Sequence, residues 1–214
     1  MRLPPARATI AIAAITALAW AAAVAAGQTD RIVMLAGFIP ARVSGALDVA
    51  GAAPVWLTPL SATLVHAGLW HVGFNLLMIV FCGRLVEASI GPAGVVIAYV
   101  IGAYVACAAQ YAVAPHSPIP MIGASGAGSA LIGAYALLYS QRRMKGWGPF
   151  SGQFIQIVWL AVAWIGIQLL VNFASGDAPG MPEGALIAAP AHIGGFLAGL
   201  ALARPLLLFR YRDA

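Results

Sequence analysis

The sequence predicts an all-α integral membrane protein, a bundle of six spanning helices, on three observations. Hydrophobic residues fill 62% of the 214 positions and charged residues only 8%, whereas soluble domains carry about 25% charged residues. The apolar residues gather into runs of roughly 20, the length a helix needs to cross a hydrocarbon core about 30 Å thick. Basic residues between the runs fall in one consistent sense, as membrane topology requires.

The runs lie near residues 8–27, 60–83, 93–114, 121–140, 153–173 and 188–209. The first follows Arg7 and ends in "AVAAGQ", which resembles a signal peptide. A secretory apolar region is usually about 7–15 residues and this one is about 20, so a retained first helix is expected. Residues 28–58 carry Arg31, Arg42 and Asp48 among glycines and prolines and read as a long, partly apolar outer loop. With the N-terminus inside, Arg2, Arg7, Arg84, Arg142, Arg143, Lys145, Arg204, Arg210 and Arg212 face the cytoplasm. Only Arg31 and Arg42 fall outside, a nine-to-two division that predicts N-in, C-in.

Topology therefore accounts for the net charge of +5. Nucleic acid is not an expected partner, because its recognition needs basic residues clustered on a soluble face. Cys82 and Cys107 fall inside apolar runs and read as small buried hydrophobes. No repeat or appended soluble domain is evident, so residues 1–214 read as one membrane domain.

Polar side chains within the runs are few and grouped. The second run holds "HAGLWHVGFN", with His66, His71 and Asn75; the fourth opens on Ser125, and the sixth opens on "AHIGGFLAG", with His192. These three runs all pass from outside to inside, so their polar residues share one depth in the outer half of the membrane. His71 and Asn75, four apart, point the same way from one helix face. An intramembrane serine is commonly a packing residue bonded to the carbonyl four back. An intramembrane histidine is costly and more often functional. His66 and His71 alone do not make a metal site, since no HExxH, cysteine pair or intramembrane carboxylate completes one. Neither metal nor cofactor is expected. Gly195 and Gly199 form a small-residue face, as do Gly126, Ala130 and Ala134, and such faces let helices touch closely. Contact between the fourth and sixth helices would bring Ser125 to His192.

In order and spacing, "HAGLWHVGFN", "GRLVEASIG", "IGASGAGSALIGAY" and "AHIGGFLAG" resemble the rhomboid intramembrane serine proteases over roughly residues 56–203. The resemblance implies a six-helix core with a Ser–His dyad opening to the outer face. By matching motif, Ser125 is the nucleophile and His192 its general base. His71 and Asn75 match the HxxxN pair that helps to stabilise the oxyanion, and Gly123 matches the first glycine of GxSG. Glu87 matches a structural glutamate at the inner end of the second helix. The implied partners are transmembrane protein substrates within the lipid bilayer, and the implied location is a bacterial inner membrane with the site on the periplasmic side. Two positions depart from the family. Ser129 stands where an aromatic often packs on the catalytic histidine, and Trp56–Leu57 replaces a loop Trp–Arg.

The chemistry is coherent on its own terms. A serine hydroxyl needs an adjacent base, and apolar surroundings favour the neutral imidazole that can serve as one. With no acid deep in any run, a dyad is expected rather than a triad. The helix N-terminus at Ser125 offers unpaired N–H groups and a positive dipole to a developing oxyanion, and Gly126 allows close backbone approach. Span five, with Trp159 and Trp164, and the outer loop are alternative gates for a substrate helix. Two rivals stand beside a protease. One is a rhomboid-like protein that binds membrane helices without cutting them; such relatives lack the Ser or the His, and both are present here. The other is a small transporter, which would show inverted repeats and midplane ionisable groups.

Overall fold

A computed structural model describes residues 5–139, 144–175 and 188–212. Arg2, Arg142 and Arg143, counted above for orientation, lie outside these residues, as does the last residue of the fourth run. In chain order the helices are α1 (Arg7–Ala25), α2 (Thr29–Ala36), α3 (Pro40–Val43), α4 (Thr58–Ser61), α5 (Leu69–Val113), α6 (Ser125–Tyr139), α7 (Gly152–Ser175) and α8 (Ala189–Arg210). Tight 3-10 turns flank α4 at Val55–Leu57 and Ala62–Leu64. Among the described residues, β pairing is limited to the isolated bridges Phe38–Met121 and Trp147–Phe150.

Helices cover all six apolar runs, two of them within α5. Gly91 there adopts φ 77° and is followed by Pro92. A left-handed glycine ends one helix and a proline is tolerated in the first turn of the next, so α5 is two arms joined at a kink. Three helices are long and apolar enough to cross a membrane among the described residues: Arg7–Ala25, Leu69–Val113 and Ala189–Arg210.

Two boundaries differ from the hydropathy reading. The second run is not one continuous helix from residue 60, which lies in the short α4. Residues 55–64 wind into short turns, and the long helix starts at Leu69 after Gly68. Its first arm then continues to residue 90, beyond the expected end at 83. Pro59 and Gly68 punctuate a stretch whose hydropathy is otherwise uniform. The segment 28–58 is also not a simple loop, since it contains α2 and α3.

The first arm of α5 shows the logic of the bundle. Val72, Asn75, Ile79, Cys82 and Val86 are buried on one side, while Trp70, Phe74, Leu77, Met78 and Phe81 are exposed on the other. A helix in water would put polar residues on that outer face; large apolar ones there suit lipid. Inside, α5, α6 and α8 pack most extensively on one another, around fully buried Ile79, Val95, Ala98, Leu131 and Ala203.

Glu87 ties α1 to this core. No side chain caps α1 from its own N-cap, Ala6. The Glu87 carboxylate does so instead, accepting the N–H groups of Ala8 (3.1 Å) and Thr9 (2.8 Å) and the Thr9 hydroxyl (2.7 Å). At the same end Arg210 donates to the carbonyls of Glu87 (3.1 Å) and Ala88 (2.6 Å), satisfying the last turn of the first arm. Glu87→Ala would leave three buried or half-buried donors without an acceptor. A loss of about 2–3 kcal/mol is expected, lowering the melting temperature in detergent by roughly 4–12 °C. An unchanged melting temperature would show that water replaces the carboxylate without cost.

Candidate active site

The turn before α6 is held from several sides. Gly123 has φ 105°, a conformation that side-chain-bearing residues rarely adopt. A β-carbon there would also lie 2.6 Å from the His71 Nε2 atom, so His71 packs directly against this backbone. The Gly123 N–H donates to the Ala62 carbonyl at 2.9 Å, and the Ala124 N–H donates to His66 Nε2 at 3.3 Å. Phe38 and Met121 exchange both backbone bonds, at 3.0 and 2.7 Å, tying the outer segment to the same loop. Helix α6 then starts at Ser125, whose neighbours Gly126 and Ala127 contribute first-turn N–H groups that have no partner within the helix.

The opposite wall comes from α8. Pro190 occupies its first turn, where a missing N–H costs nothing, and His192 follows in the same turn. Small residues let α8 press onto α6. A methyl on Gly195 would run into the Gly126 carbonyl oxygen, and one on Gly199 into the Ala130 carbonyl oxygen. At that separation His192 Nε2 lies 2.7 Å from Ser125 Oγ. A hydroxyl that donates to a ring nitrogen at this distance is the arrangement a nucleophile and its base require.

The family model described as Rhomboid domain matches residues 54–209. The chain belongs to the rhomboid family. Rhomboids are generally intramembrane serine proteases, and this one, with its apolar helices, is an integral membrane protein. A comparison with curated proteins gives no match.

The other candidate residues of this rhomboid take distinct places. The His71 Nδ1 atom accepts the Ala67 N–H in a long contact of 3.5 Å, and Nε2 lies on the side of Gly123. Asn75 is buried and donates to the His71 carbonyl at 2.7 Å, which commits one of its two amide protons to its own helix and leaves the other. Gly126 meets Ala106 of α5, with 2.7 Å between that methyl and any added β-carbon. Ser129 turns its hydroxyl back to the Ser125 carbonyl at 2.8 Å, the packing-serine behaviour. Trp56 is exposed and fixed through its backbone, which accepts from the Tyr104 hydroxyl at 3.0 Å.

Two residues near the site were not singled out by sequence as parts of it. His66 is fully buried, lies outside the α5 helix and meets the His71 ring edge-on at 4.9 Å between centroids. Its signal was present in the HxxxxH spacing, but its partner at Ala124 is tertiary. Trp164, noted only as part of a possible gate, donates to the His192 carbonyl at 3.2 Å and stacks on Phe196.

Proposed function

We propose that this protein is an intramembrane serine endopeptidase that cuts peptide bonds in or near transmembrane segments. The observation that carries this is the 2.7 Å contact between Ser125 Oγ and His192 Nε2. In the first half-reaction His192 takes the hydroxyl proton as Ser125 attacks the scissile carbonyl, and then passes that proton to the leaving amine. In the second, water drawn toward His192 attacks the acyl-enzyme and frees Ser125. The negative oxygen of each tetrahedral intermediate is held by first-turn N–H groups of α6 and the helix dipole, with His71 Nε2–H and Asn75 as side-chain donors.

Hydrolysis also needs water, which polar side chains gathered at the outer ends of three helices can hold in a cavity and the bilayer centre cannot supply. In this reading all six helices cross, both termini are cytoplasmic, and the site opens to the periplasmic side of a bacterial inner membrane. The substrate is a membrane helix that unwinds locally to expose a carbonyl, which glycine or proline near its outer end would ease.

The decisive experiment is labelling of the detergent-solubilised protein with a fluorophosphonate, beside Ser125→Ala. Wild-type labelling that vanishes in the variant is expected. Equal labelling of both, or of neither, overturns the reading and favours a rhomboid that binds helices without cutting them.

The oxyanion assignment has its own expected result. His71→Ala and Asn75→Ala should each lower kcat about 10²–10³-fold, equivalent to about 2.7–4 kcal/mol of lost transition-state stabilisation, with little change in KM. Both should be milder than loss of Ser125, because backbone donors remain. A rise in KM at normal kcat would make the pair a substrate-positioning element instead.

A further inference from the structure

Helix α7 meets the rest of the described bundle mainly at α8, and one side chain makes two specific contacts there. Trp164 donates its indole N–H to the His192 backbone carbonyl at 3.2 Å. Its ring also stacks on Phe196, with centroids 5.1 Å apart and planes 12° from parallel. Phe196 lies one helical turn below His192 on α8, so the indole grips that turn at two points. A tryptophan suits this place because it joins a broad apolar face to a single polar handle.

We propose that Trp164 is a positioning residue for His192. It sets the backbone from which the imidazole reaches Ser125, and it does so from α7, a helix whose contacts in the described bundle fall mainly on α8. On the α6 side Ser129 packs no ring on His192 and turns its hydroxyl to the Ser125 carbonyl. The buried Phe196 side chain completes the grip from α8 itself. Displacing α7 would break the hydrogen bond and the stack together and loosen the turn of α8 that carries the base. This inference rests on the protease reading, and its test separates the two.

The probe is a small fluorophosphonate, which reaches Ser125 without needing room for a helix. Trp164→Phe keeps an aromatic ring against Phe196 and removes the N–H donor. Its labelling rate and its kcat for a membrane substrate should both fall roughly tenfold, within the hundredfold that a 1 Å misplacement can cost, while KM and melting temperature stay near wild type. Phe196→Leu, which keeps the N–H and removes the stack, should lower the labelling rate by a smaller factor. Trp159→Phe, on the exposed side of α7, serves as the control and should label like wild type. Unchanged labelling by Trp164→Phe overturns the positioning role even if cleavage of a helix changes, since that pattern belongs to a gate alone. Failure of wild-type protein to label removes the protease reading, and this inference with it.

Discussion

Purified Ser125→Ala and His192→Ala are each expected to lose cleavage of a model membrane substrate, while remaining folded in the membrane. The two side chains share one hydrogen bond of 2.7 Å across helices that meet through glycine. Without His192 the serine has no base to take its proton, and without Ser125 the imidazole has no nucleophile to activate. For residues that act as a unit, single losses on the order of 10⁴-fold or more in kcat are ordinary, and the losses do not add. The double variant should therefore be no worse than either single one. Neither change empties a large volume of core: Ser125→Ala removes one oxygen, and His192 sits in the first turn of α8 rather than in the packed middle. Melting temperatures should accordingly stay close to wild type. Near-normal turnover by Ser125→Ala would end the serine mechanism. Loss of activity accompanied by unfolding would recast the pair as structural.

How far the site could be read in advance depended on the range of the interactions involved. His71 and Asn75 belong to one helix at i and i+4, so their shared face followed from helical geometry alone. The approach of Ser125 to His192 was legible because both helices carry small residues at four-residue spacing close to the polar position. Glu87 was placed as structural by resemblance, and the reason now has atoms: it caps α1, whose own N-cap is an alanine. What escaped the sequence was tertiary. The apolar stretch 60–68 looks like helix to any hydropathy window, yet Pro59 and Gly68 break it, and the break carries His66 to the Ala124 N–H. Arg210 was counted only as a topological charge, and it also satisfies carbonyls of α5 123 and 122 residues away. Neither bond leaves a local pattern. Trp164 was visible as an aromatic on the fifth span, but nothing in one sequence could aim its N–H at a particular carbonyl.

Gly199→Leu is expected to be the most damaging change outside the dyad. On α8, Gly199 faces the Ala130 carbonyl of α6 so closely that even a methyl would overlap it. The obstacle is backbone within a buried helix rather than the end of a mobile side chain, so local repacking cannot relieve it. The helices must separate instead, and they are held at the same face by Gly195 against Gly126 and by Gly133 against the Phe196 backbone. Overpacking a core commonly costs 1–3 kcal/mol, and a contact with fixed backbone should reach about 3 kcal/mol or more. Gly199→Ala should already be clearly destabilising, which sets it apart from an alanine at an ordinary helix glycine, where about 1 kcal/mol would be gained. Leu197→Ala, on the exposed side of α8, should leave the melting temperature nearly unchanged. Activity must follow packing, because Gly199 lies two turns from His192 on the same rod. A shift of 1 Å between α6 and α8 would lengthen the dyad hydrogen bond beyond use and cost on the order of a hundredfold in rate. Wild-type stability and turnover in Gly199→Leu would mean that α8 tolerates displacement without moving His192, and that the Ser125–His192 distance is set by α7 and the loops instead.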